Sequence, residues 1–92
     1  MSVNPYFFSI EYTGDARREL ASYSQRLRAQ IVAAVRSLAD DPHPQNSAAL
    51  WGDWAGHRRL RVAGIQRVIY RIDYRARLIE IVAAGPRGSI YD

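Results

Sequence analysis

The segment RRLRVAGIQRVIYRID, residues 58–73, reads as two short strands joined by a tight turn. Apolar and polar residues alternate through Arg58 to Val62. The pattern breaks at Ala63-Gly64 and resumes from Gln66 to Tyr74 with β-branched and aromatic residues, the signature of a hairpin. A third stretch, Arg77 to Ala84, has the same character after a turn near Tyr74-Arg75-Ala76. Short turns between successive strands predict an antiparallel meander. Alternation then sorts the side chains. Leu60 and Val62, Val68, Tyr70 and Ile72, and Ile79, Ile81 and Ala83 form one apolar face. Arg59, Arg61 and Arg67 fall on the other, on adjacent strands.

Upstream, Ala16, Leu20, Tyr23, Leu27, Ile31, Ala34 or Val35, and Leu38 recur at steps of three or four, which is one apolar face of helix. Thr13 or Asp15 suits a first N-cap and Ser24 a second. A helical hairpin is predicted, with helices near 14–23 and 25–39 and a single long helix as the alternative, stopped by Asp40-Asp41-Pro42-His43-Pro44 because proline cannot continue the hydrogen-bond ladder. The aromatic-rich stretch Tyr6 to Tyr12 reads as an opening strand. Residues 41–56 form a connector whose Leu50, Trp51 and Trp54 are expected to fold back on the core. The expected architecture is α+β in the order β-α-α-β-β-β, with two N-terminal helices packed on one face of a small antiparallel sheet. It is a single domain over residues 1–92.

The charge distribution narrows the partners. All 13 basic residues are arginine and none is lysine. From Gly56 to Asp92 there are eight arginines against three acids, whereas the first 55 residues hold five against six. A GC-rich genome would explain the missing lysines. The clustering in the C-terminal half fits a polyanion partner, because a guanidinium binds phosphate through a planar fork. The other reading of the arginine face is a plain solvated sheet surface. The chain has no cysteine, and His43 and His57 lack zinc-ligand spacing, so no metal or cofactor is expected. Neither a secretion signal nor a membrane span is legible, and a cytoplasmic location is expected.

Taken in order, these pieces resemble the RelE/ParE toxin superfamily of type II toxin–antitoxin systems. ARRELASYSQRLRAQIVAAVRSLADDP is similar to the family's two-helix segment with its closing Asp-Pro. RRLRVAGIQRVIYRID resembles its Arg-x-Arg strand, Gly turn and Arg-Val-Ile-Tyr strand, and GPRGSIY resembles its closing Gly-His-Arg-x-x-x-Tyr. The resemblance implies a bacterial mRNA interferase, an endoribonuclease that cuts mRNA on the ribosome and is silenced by a cognate antitoxin. The other branch implies a toxin that inhibits DNA gyrase without cutting RNA.

By position, Arg59 and Arg61 match the family's basic pair, Arg67 the arginine of the next strand, and Arg87 and Tyr91 the terminal Arg and Tyr. Two departures stand out. Pro86 occupies the place of the family's histidine, and Arg59 and Arg61 stand where some members carry lysines, which accept protons more readily than arginine.

RNA carries its own nucleophile, the 2′-hydroxyl, so positioned arginines and alignment supply most of what cleavage needs. The expected products are a 2′,3′-cyclic phosphate or 3′-phosphate and a 5′-hydroxyl. Arg61 and Arg67 are assigned to the scissile phosphate and Arg59 to a flanking one. Arg87 is assigned to the transition state or leaving group, and Tyr91 to stacking on a base or orienting the 2′-hydroxyl. Tyr91 is alternatively a tail aromatic packed on the sheet. His57 is a general base matched to neutral pH or a residue of a surface turn.

Overall fold

The computed structural model describes residues 7–86. Strand β1 (Ser9–Tyr12) leads into helix α1 (Gly14–Ala21) and helix α2 (Gln25–Ser37). Strand β2 (Ser47–Ala49), a 3-10 turn at Gly52–Trp54, and strands β3 (Arg58–Val62), β4 (Gln66–Asp73) and β5 (Leu78–Pro86) follow.

Both helix starts are capped as the sequence suggested. The Thr13 and Ser24 side chains accept hydrogen bonds from the backbone of Ala16 and Leu27, filling donors that a helix terminus leaves empty. Ala16, Leu20, Ile31, Val35 and Leu38 then turn inward against Leu60, Val68, Tyr70, Ile79 and Ile81. Burying each large aliphatic chain is worth about 1.5–3 kcal/mol, so this interface is the main source of stability. Leu27 and Ile72, half-buried, sit at its margin.

The five strands are ordered β1-β5-β4-β3-β2. The meander β3–β5 is antiparallel as expected, while β1 joins the free edge of β5 in parallel, Ser9 opposite Leu78 and Tyr12 opposite Ile81. Alternation within a strand specifies faces, not neighbours, so the sheet is mixed for a reason no local pattern carries.

Three further differences come from the same blind spot. A β-bulge steps the β4–β5 register from Ile69↔Ala83 to Tyr70↔Ile81, leaving Val82 unopposed. The bulge exchanges faces beyond it, so Ala84, not Ala83, joins the core. The connector contributes β2 as an edge strand on β3. Trp51 does not fold back: it is 85% exposed, while Trp54 packs edge-on against His57 with ring centroids 5.2 Å apart. Among the described residues no helix is long and apolar enough to cross a membrane.

Candidate nucleic-acid interface

The β3–β4 hairpin sets the arginine face. Because Leu60, Val62, Val68 and Tyr70 point at the helices, their neighbours point away. Arg61 is directly opposite Arg67, and Arg59 is opposite Ile69. Arg59 and Arg67 are therefore diagonal neighbours, about 7–8 Å apart and within reach of long side chains.

Their environments differ. Arg61 is exposed, and its backbone is pinned by Asn46, which accepts from its N–H and donates to its carbonyl, each at 2.9 Å. Arg67 is only 7% exposed. One of its terminal nitrogens donates to the Gly64 carbonyl at 2.8 Å and to the Gln66 carbonyl at 3.0 Å. The turn makes this possible: Ala63 (φ 47°) and Gly64 (φ 77°) both lie in the left-handed region, which glycine adopts freely and alanine only at a cost. The Nε atoms of Arg59 and Arg67 are buried and have no hydrogen-bond partner. A buried donor left empty costs about 1–3 kcal/mol.

Farther along the same face Arg71 donates from Nε to Glu80 at 2.7 Å. That hydrogen bond and the Glu80 charge raise the Arg71 pKa still further, and the pairing holds Arg71 away from other anions.

The helical hairpin braces the Arg67 end from behind. The Tyr23 hydroxyl donates to Gln66 Oε1 at 2.6 Å, and the Glu19 carboxylate accepts from the Ala84 N–H at 3.0 Å. The Thr13 hydroxyl donates to the Val82 carbonyl at 3.3 Å, using a group next to the bulge. Strand β5 places Gly85 opposite Arg67 and ends at Pro86, opposite Gln66. Arg87 and Tyr91 lie outside the described residues.

The structure thus brings together Arg59, Arg61 and Arg67. His57 precedes β3, two residues before Arg59 and four before Arg61. Its ring lines a separate concavity with Arg58, Ile72 and Tyr74. Arg58 was not singled out by sequence, yet it shares the core-side face of Leu60 and donates to the Tyr70 hydroxyl (3.3 Å) and Ser47 Oγ (2.9 Å). Its odd place in the alternation was the available signal.

The profile described as "ParE toxin of type II toxin-antitoxin system, parDE" matches residues 10–91. The chain belongs to the ParE toxin family. Among solved structures, this toxin is similar to a chain of the RelBE2 toxin–antitoxin complex from Mycobacterium tuberculosis. The two share 27% identity with a TM-score of 0.78, over 88% of this chain and 99% of the other. YafQ from E. coli aligns at 19% identity and TM-score 0.76, over 92% and 99% of the two chains. The YoeB/ParE toxin from Agrobacterium tumefaciens aligns at 18% and 0.75, over 87% and 99%. The latter two likenesses speak to the fold alone. A comparison with curated proteins gives no match. The toxin therefore has the RelE/ParE fold, with structural relatives of both RelE/YafQ and ParE type.

Proposed function

We propose that this toxin is an endoribonuclease that cleaves mRNA on the ribosome through the RNA's own 2′-hydroxyl. The observation that carries the reading is the gathering of Arg59, exposed Arg61 and Arg67 on one face of the β3–β4 hairpin, with Arg67 fixed by the carbonyls of its own turn. Donors already fixed in place favour charge that develops on the phosphorane, because little reorganisation is then needed. Arg67, held by the turn carbonyls, binds the scissile phosphate with Arg61, and Arg59 takes the flanking one. Arg87 serves the transition state or leaving group, and Tyr91 stacks on a base or orients the 2′-hydroxyl. The products are a 2′,3′-cyclic phosphate or 3′-phosphate and a 5′-hydroxyl. With Pro86 in place of histidine and arginines in place of lysines, rate comes chiefly from alignment and charge stabilisation. A cognate antitoxin is the natural partner, since the RelBE2 relative was solved as a toxin–antitoxin complex.

The second reading, inhibition of DNA gyrase without RNA cleavage, is favoured by the ParE family match over residues 10–91. Purified toxin incubated with ribosomes and mRNA, beside a gyrase supercoiling assay, separates the two. Cleavage with 5′-hydroxyl ends supports the ribonuclease. Intact mRNA with blocked supercoiling would sink it.

A further inference from the structure

A second concavity lies on the helix side of the sheet, where β3 begins and β4 ends. It is open, holds about 310 Å3, and its lining includes His43, Trp51, His57, Arg58, Ile72 and Tyr74. Its chemistry is unusual for a surface dimple. Trp51 and Tyr74 are 85% and 58% exposed, although large aromatics are normally covered. The Tyr74 hydroxyl lies 2.6 Å from His43 Nε2, and the two rings are near-parallel at 14° with centroids 6.0 Å apart, so they form one flat, fixed wall. Opposite chemistry is supplied by Arg58, with two of its five donors committed to Tyr70 and Ser47. His57 Nδ1 is buried with no hydrogen-bond partner.

Flat aromatic surfaces, imidazoles and a guanidinium in one small cavity on a chain of net charge +4 suit a nucleotide. The volume is at the lower end of the roughly 300–1,000 Å3 of small-molecule sites, which fits one nucleoside better than a helix of a protein partner. Arg58 and Arg59 are consecutive on β3, so their side chains leave on opposite faces of the sheet. A single strand passing the N-terminal end of β3 can meet both.

The geometry points to this cavity as a base subsite for single-stranded RNA, separate from the arginine face. One flanking base stacks on Trp51 and the Tyr74–His43 wall, with its phosphate towards Arg58. The role as a flanking subsite rests on the ribonuclease reading, but nucleotide binding there does not.

The test uses a fluorescently labelled 2′-O-methyl oligonucleotide, which lacks the nucleophile and stays intact, and free nucleoside monophosphates. Both are titrated while tryptophan emission is followed. The expected result is quenching that disappears in Trp51→Phe. Affinity for the oligonucleotide should fall by roughly five- to 150-fold in Trp51→Ala, the loss of one stacked base. Trp51 is so exposed that this variant should melt like the wild type, and Tyr74→Phe should retain stacking. Arg67→Ala should keep the quench even as it loses cleavage.

Quenching by a wild type that cuts no RNA upholds the subsite and removes the ribonuclease reading. Cleavage without any Trp51 response, or unchanged affinity in Trp51→Ala, overturns the subsite and leaves that reading in place. A Trp51 that ignores both probes and is shielded only in the antitoxin complex also overturns it, making the cavity a protein interface.

Discussion

Arg61 and Arg67 face one another across a single rung of the β3–β4 ladder, and their surroundings are opposite. Arg61 is exposed, whereas Arg67 is 7% exposed and tied to the carbonyls of its own turn. Two like charges at one rung repel, and fixing one of them by backbone acceptors leaves the other free to swing towards a ligand.

The two arginines should therefore fail differently. Arg67→Ala is expected to reduce mRNA cleavage by about 10²–10³. Arg61→Ala should mainly weaken RNA binding and lower the slope of log affinity against log salt by about 0.7, the value for one phosphate contact to a single strand. Cleavage rates on purified ribosomes and salt titrations of the same variants check this. Identical profiles would show that the rung acts as one undivided charge.

Gly64→Val tests the turn. A Cβ at Gly64 meets nothing within 4 Å, so any cost is conformational and arises from φ 77°. A left-handed β-branched residue costs about 1–3 kcal/mol, or very roughly 4–20 °C in Tm for a domain of this size. Cleavage should fall too, because the Gly64 carbonyl orients Arg67. Gly64→Asn, which tolerates that conformation better, should lie between. A thermal melt and a cleavage assay on both variants suffice.

The helical faces, both caps and the arginine rungs were legible because each depends on a local period. Thr13 and Ser24 cap where a polar residue precedes an apolar repeat, and Arg59, Arg61 and Arg67 follow from alternation. The bulge at Val82, the edge strand Ser47–Ala49 and the partner of Ser9 depend on residues far apart in sequence. The His43–Tyr74 pair joins two loops 31 residues apart, and no spacing rule connects them.

Tyr70→Phe should destabilise the fold by about 1–3 kcal/mol while removing one oxygen. The Tyr70 side chain is fully buried, and its hydroxyl donates to the Pro42 carbonyl at 2.7 Å while accepting from Arg58 Nε. The change leaves the Pro42 carbonyl without that donor and Arg58 Nε without that acceptor. Chemical denaturation at constant m-value gives the answer. A midpoint matching the wild type would mean that water replaces the hydroxyl at no cost.

Alkali should unfold the protein through its tyrosines. Burial raises the Tyr12 phenol above its ordinary 10.0 despite the nearby Arg36 charge. Burial, with a smaller push from Glu19, does the same for Tyr23. A pKa raised in the folded state means stability fully present below pH 10 and lost as pH climbs through the folded values. Melts between pH 9 and 12 should show a decline that becomes shallower in Tyr12→Phe and in Tyr23→Phe. The Tyr23 variant also loses the hydroxyl bond to Gln66, so its Tm at neutral pH should be lower.

The parallel pairing of β1 with β5 has a consequence for how the protein folds. The Thr13–Val82 bond that accompanies it spans 69 residues. The opening strand has no edge to join until β5 is in place, and closing so long a loop is slow. The arginine hairpin, made of neighbours in sequence, can form earlier. Refolding from the denatured chain should therefore pass through a stage in which the basic hairpin is assembled but the brace from Thr13 and Glu19 on β5 is not. A refolding experiment should detect that stage as hairpin amide protection that precedes protection of Ser9 to Tyr12.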